Sequence, residues 1–99
     1  MPGAAMPSLP ATVAISPELL SQEIGGETVI LDMRGERYYV LDDVGTRMWQ
    51  LLNELSDPQA VCARMLEEYE VDLATVSEDL AVLIASLAEA GMLEVRDAP

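Results

Sequence analysis

The sequence predicts a single α+β domain in which three short strands precede three helices. Three observations carry that prediction. Residues 27–40 alternate in the manner of a β-hairpin. Aspartates at 42 or 43, 57 and 72 each stand just ahead of an apolar pattern with helical spacing. A composition 51% hydrophobic over 99 residues allows one modest core and is too apolar for general disorder.

The elements follow in chain order. Residues 1–10 are rich in proline and are expected to form a disordered tail, with the folded domain over 11–95. Thr12 to Ile15 is a short β-prone piece that Pro17 ends. Glu27 to Met33 and Glu36 to Val40 form the clearest hairpin, with Gly35 of Arg34-Gly35 taking a positive-φ turn position. In that register Leu31 faces Tyr38, Val29 faces Val40, Ile30 faces Tyr39 and Asp32 faces Arg37. One face then holds Val29, Leu31, Tyr38 and Val40. The other holds Ile30, Tyr39 and Leu41, with an Asp32–Arg37 pair at its outer end. Both faces are apolar, whereas a sheet with one wet face alternates more cleanly. The second face therefore meets another part of the fold or a binding partner.

The first helix starts at Asp42 or Asp43 and repeats Val44, Met48, Leu51, Leu52 and Leu55. Asp57-Pro58 announces the second, a capping residue followed by proline at the first helical position, with Val61, Met65 and Tyr69 inward. Asp72 caps the third, whose stripe is Leu73, Val76, Leu80, Leu83 and Leu87, widened by Val82 and Ile84. Gly91 supplies its stop, and Met92 to Val95 form a short extended tail. Gly25-Gly26 reads as a loop.

Charge and residue inventory exclude several functions. Eighteen carboxylates against five arginines give −13, a surface that repels nucleic-acid phosphates and anionic membranes alike. A basic or neutral peptide or protein is the better partner. There is no histidine, so Cys62 has no imidazole base, and its mid-helix apolar setting reads as a buried inert thiol. One cysteine forms no internal disulfide, and zinc sites of Cys and His are excluded by count. Asp42-Asp43 sit where a helix needs a cap rather than where an acid–base pair needs burial. No glycine-rich phosphate loop is present, and the methionines read as core filler rather than soft-metal ligands. No cofactor is expected, and the chain is expected not to be an enzyme. An acyl carrier would need an exposed serine at a helix start, but Ser86 lies deep in the third helix. No apolar run is long enough to span a membrane and the start is not a secretory signal, so the cytoplasm is the default compartment.

The run Tyr38-Tyr39-Val40-Leu41-Asp42, then Gly45, Met48-Trp49 and Leu51-Leu52, resembles the PqqD-like family. Its members are also called recognition elements for ribosomally made, post-translationally modified peptides (RiPPs). Tyr69, Val71-Asp72, Val76, Asp79-Leu80, Leu83-Ile84, Leu87 and Gly91-Met92-Leu93 agree with the later part of that family. The resemblance covers about residues 12–95 and rests on joint spacing rather than on one motif. It implies a winged helix-turn-helix-like fold of three N-terminal strands and three helices. It also implies that the chain binds the leader segment of a precursor peptide. The leader adds as a strand at the edge of the third strand and lies in the cleft beside the third helix.

On that basis the candidate peptide-binding residues are Arg37, Tyr38, Tyr39, Val40 and Leu41 on the strand. On the helix they are Val76, Asp79, Leu80, Leu83 and Ile84. Each taken singly also fits plain core, and the choice between Tyr38 and Tyr39 for the groove stays open. A chain of this size is most similar to the stand-alone recognition proteins of lasso peptide biosynthesis. Their partners are a leader peptidase of the cysteine protease type and a cyclase. The alternative within the family is a peptide chaperone for a radical-SAM enzyme. A winged-helix transcription regulator is a further alternative. The −13 charge and the lack of arginines on a recognition helix argue against it.

Overall fold

The computed structural model describes residues 9–96. Residues 1–8 of the expected tail lie outside those described. Leu9 and Pro10 are half-buried, and Leu9 packs against the core. The element order is β1 (Thr12–Ile15), β2 (Leu19–Ile24), β3 (Glu27–Asp32), β4 (Arg37–Leu41), α1 (Asp43–Leu55), α2 (Pro58–Glu68), α3 (Leu73–Glu89) and β5 (Leu93–Arg96).

The α+β class holds, but the strands number five rather than three, in two antiparallel sheets. One sheet has the order β2-β3-β4, and the other pairs β1 with β5. The added strand, β2, is polar along much of its length and forms because Gly25 and Gly26 take φ of +62° and +87°. Two positive-φ residues make the tight two-residue turn that matches the twist of a hairpin. The loop expected at Gly25-Gly26 is therefore the tip of a hairpin, with Ile24 opposite Glu27. The segment expected as a C-terminal tail is β5, held by β1 in a register from Thr12–Arg96 to Ile15–Leu93.

The β3–β4 register is as the alternation predicts: Val29–Val40, Ile30–Tyr39, Leu31–Tyr38 and Asp32–Arg37. The turn differs. Glu36, not Gly35, takes the positive φ, at +56°. The buried Asp32 carboxylate causes this by accepting from the backbone N–H of Arg34 at 3.0 Å and from its guanidinium at 3.1 and 3.2 Å. That local ring fixes a wider turn, and Glu36 N–H donates to the Asp32 carbonyl at 3.2 Å. The Asp32 partner is thus Arg34 rather than Arg37. These bonds hold the Asp32 carboxyl below its ordinary 3.8, chiefly through the side-chain bonds and then the backbone one.

The helices start where the aspartates place them. Asp42 accepts from Gly45 N–H at 2.7 Å, Asp57 from Gln59 N–H at 3.0 Å and Asp72 from Thr75 N–H at 2.7 Å. Gly91 ends α3 at φ +76°, the left-handed conformation that a helix stop favours. The Arg47 guanidinium spans α1 to α2 with bonds of 2.7 and 2.6 Å to the Glu68 carboxylate. The core lies between the inner face of β3 and β4 and the three helices, around Ile30, Leu51, Leu52, Val61, Leu80 and Leu87. Tyr69, expected inward on α2, is 39% exposed at the C-cap of that helix.

Candidate peptide-binding groove

β4 is an edge strand, and the hairpin geometry says which of its backbone groups are free. A two-residue turn makes its flanking residues a hydrogen-bonded pair, here Ile24 and Glu27. Bonding then alternates along β3, so Val29 and Leu31 bond to β2, and Thr28, Ile30 and Asp32 bond to β4. On β4 the inward partners are Arg37, Tyr39 and Leu41. The N–H and C=O groups of Tyr38 and Val40 point outward, and no described strand pairs with them.

Beside that free edge lies a cleft of about 610 Å³. The end of β4 (Tyr39, Val40, Leu41), the start of α1 (Asp42, Val44, Gly45, Met48) and α3 (Asp79, Val82, Leu83, Ser86) line it. Local sequence explains how these three elements can close on one another. Gly45 sits in the first turn of α1, where a Cβ would meet Leu41 Cβ at 3.3 Å and the Asp42 carboxylate at 3.1 Å. The missing side chain lets the helix start pack tightly under the strand end. At the other end, Arg34 donates to the Gly91 carbonyl at 2.7 Å and Arg37 to the Ala90 carbonyl at 3.3 Å. The hairpin is thereby fastened to the end of α3.

The structure sorts the sequence candidates. Tyr39, Val40, Leu41, Asp79 and Leu83 share the cleft. Tyr38 lies on the outer face and is 69% exposed, so Tyr39 is the tyrosine that lines the groove. Arg37 stands beyond the groove at the fastened end. Val76, Leu80 and Ile84 are 3%, 0% and 3% exposed and belong to the core. Ile84 borders only a shallow apolar depression formed with Pro10 and Ala88. The extra width of α3 does line the groove, but through Val82, which is 59% exposed, and not through Ile84.

Asp42, Val44, Gly45, Met48, Val82 and Ser86 line the cleft but were not among the sequence candidates. The signal for Val44 and Gly45 was present, since both fall one turn after the strand, at a helix start that must abut it.

The outer face of the same sheet is apolar and exposed. Leu20, Leu31 and Tyr38 form one cross-strand row, with Val29 and Val40 in the next. The face of Val29, Leu31, Tyr38 and Val40 is therefore open, while Ile30 and Leu41 on the opposite face join the core. Cys62 is buried beside Ser77, with Sγ–Oγ at 3.9 Å, and burial pushes the thiol up from its ordinary value. No cluster of three acidic or thiol ligands suited to a metal occurs among the described residues. No described helix is long and apolar enough to cross a membrane.

Comparison with known proteins bears on this arrangement. No curated protein sequence matches the chain. A solved structure described as TbiB1 in complex with the TbiA(beta) leader peptide is 37% identical. It covers 82% of this chain and 94% of its own, with a TM-score of 0.77. A second, described as lasso peptide synthetase B1 complexed with the leader peptide, is 31% identical. It covers 85% of this chain and 99% of its own, with a TM-score of 0.75. The family model for coenzyme PQQ synthesis protein D matches residues 27–93, from the start of β3 to the start of β5. The chain belongs to the PqqD family.

Proposed function

We propose that the protein binds the leader segment of a ribosomally made precursor peptide, of the lasso class, and presents it to separate processing enzymes. The observation that carries this is the coincidence of a free strand edge with an apolar cleft. A guest strand at Tyr38 and Val40 gains main-chain hydrogen bonds that need no particular sequence. Its alternate side chains enter the cleft walled by Val82, Leu83 and Met48, which supplies the selection. The two leader-bound structural relatives support the same reading.

The chain acts without catalysis of its own. It has no histidine, and its one thiol is buried. Removal of the leader then falls to a peptidase of the cysteine protease type, and ring closure to a cyclase. The exposed outer sheet face around Leu20, Leu31 and Tyr38 supports contact with such a partner, since large exposed apolar patches mark protein contacts. The family match favours a second reading, a peptide chaperone for a radical-SAM enzyme of the quinone-cofactor type.

The test is fluorescence anisotropy of a labelled leader peptide from a precursor encoded beside this gene. Saturable binding, weakened by Val82→Glu in a protein that still melts cooperatively, is the expected result. Absence of binding to folded protein would overturn the reading. Co-purification with a peptidase or with a radical-SAM enzyme separates the two pathways.

A further inference from the structure

The groove is electrically polarised. Asp42 and Asp79 are the charged residues that line it, and no arginine does. One hydrogen bond and the shared lining set their position along it. Arg37, the first residue of β4, bonds to the Ala90 carbonyl at the C-cap of α3, while Leu41 and Asp42 share the cleft with Asp79 and Leu83, so strand and helix run past each other in opposite senses. From Arg37 to Asp42 the strand advances about 17 Å at 3.4 Å per residue. From Ala90 back to Asp79 the helix covers about 16 Å at 1.5 Å per residue. Asp42 and Asp79 are thus the lining residues of the strand end and of α3 that lie farthest along the chain from the Arg37–Ala90 contact.

No arginine lines the groove, and three of the five are paired with carboxylates that do not line it. Arg34 pairs with Asp32, Arg47 with Glu68 and Arg96 with Glu94. Asp79 is exposed and makes no ion pair among the described residues. Asp42 accepts from Gly45 N–H in the first turn of α1 and also lines the groove.

Resting on the leader-binding reading, we propose that the groove selects an extended peptide segment with a lysine or arginine at the Asp42–Asp79 end. Next to it along the segment lies an aliphatic or aromatic side chain on the Val82–Leu83–Met48 wall. The spacing follows from the two lattices. Asp79 and Leu83 are about 6 Å apart along the helix axis. Inward-facing residues of a strand recur every second position, at nearly 7 Å. The basic residue and the apolar anchor are therefore two positions apart in the guest. An apolar wall tolerates a guest sliding by two residues, because that shift keeps the same side chains inward. One charge at one end removes that tolerance and fixes register, and with it the distance from groove to cleavage site.

The experiment is selection of random displayed peptides on the intact wild-type protein and on Asp79→Asn and Asp79→Lys. Asp79 is the variant residue because it caps no helix. The expected wild-type consensus holds Lys or Arg two positions from a bulky apolar residue. Asp79→Asn weakens a consensus peptide roughly fivefold at low salt and less at high salt. Asp79→Lys shifts the selected residue at that position to Asp or Glu. An enriched apolar consensus with no basic position, or one unchanged by Asp79→Lys, overturns this inference and leaves leader binding standing. Failure to enrich any peptide on cooperatively folded protein overturns both.

Discussion

The three-stranded sheet has two free edges, β2 and β4, and they are built differently. By the alternation that frees Tyr38 and Val40 on β4, Ser21 and Glu23 on β2 also point their backbone groups outward. Yet β2 is polar in its middle, and Glu23 turns its carboxylate to Gln50 of α1 at 2.8 Å. A charge on an edge is a common guard against unwanted pairing. β4 instead presents Tyr-Tyr-Val-Leu beside a cleft whose far wall is α3. The difference teaches that unpaired backbone alone does not make a peptide site. What distinguishes β4, the proposed docking edge, is a cleft of about 610 Å³ beside it with α3 as its far wall.

That contrast can be broken most severely through α3. Leu80 is 0% exposed and seats the helix in the core. Leu80→Ala should cost about 2–5 kcal/mol of stability in urea unfolding. A loss of binding in that variant would report a damaged fold, so the groove is better probed at Val82. A loss well under 1 kcal/mol would mean that α3 is held by other contacts.

The edges themselves are compared next. Val40→Pro removes a free N–H from β4 without touching the ladder to β3. It should weaken leader binding about tenfold, from one lost bond and the altered strand path. Ser21→Pro, the matching change on β2, should leave affinity unchanged. Equal losses in the two titrations would show that β4 is not the docking edge.

Two smaller effects sharpen the role of the groove walls. Asp72→Ala removes the α3 cap and should lower the melting temperature by about 5 °C while the groove residues stay in place. The bonds from Arg34 hold the Asp32 carboxyl below its ordinary 3.8. Its stabilisation is complete above that value and is lost as the pH falls through the lower, folded one. The acid limb of a stability–pH curve should therefore be shallower in Asp32→Asn than in the wild type.

Much of this was legible in the residues because local rules agreed with the fold. The β3–β4 register followed from centring the turn on Arg34-Gly35, and the wider turn that forms keeps the same centre. The helix starts followed from Asp42, Asp57 and Asp72, whose side chains have one favoured use at those positions. β2 was illegible because Leu19–Ile24 has few β-branched residues and owes its conformation to pairing with β3. Its one local mark, the Gly25-Gly26 pair, reads equally well as a loop. Gly35 misled for a related reason. A glycine suggests the positive-φ position, but the buried Asp32 carboxylate decides the turn, and burial of an acid is not written in a hairpin pattern. On α3 the sequence showed too much apolar surface for one face. It could not say that Val82 serves the groove and Ile84 the core, because that depends on the angle at which the helix meets β4.

The bonds from Arg34 and Arg37 to the last carbonyls of α3 have a thermodynamic consequence. They fasten the hairpin to the end of α3 in the free protein, at one end of the proposed docking groove. In the proposed complex an extended guest loses conformational entropy on docking, at about 1–2 kcal/mol of TΔS per residue ordered. A precursor that arrives already extended, stiffened for instance by a proline, would bind more tightly with no new contact. Affinity in such a system is set as much by the unbound peptide as by the protein that receives it.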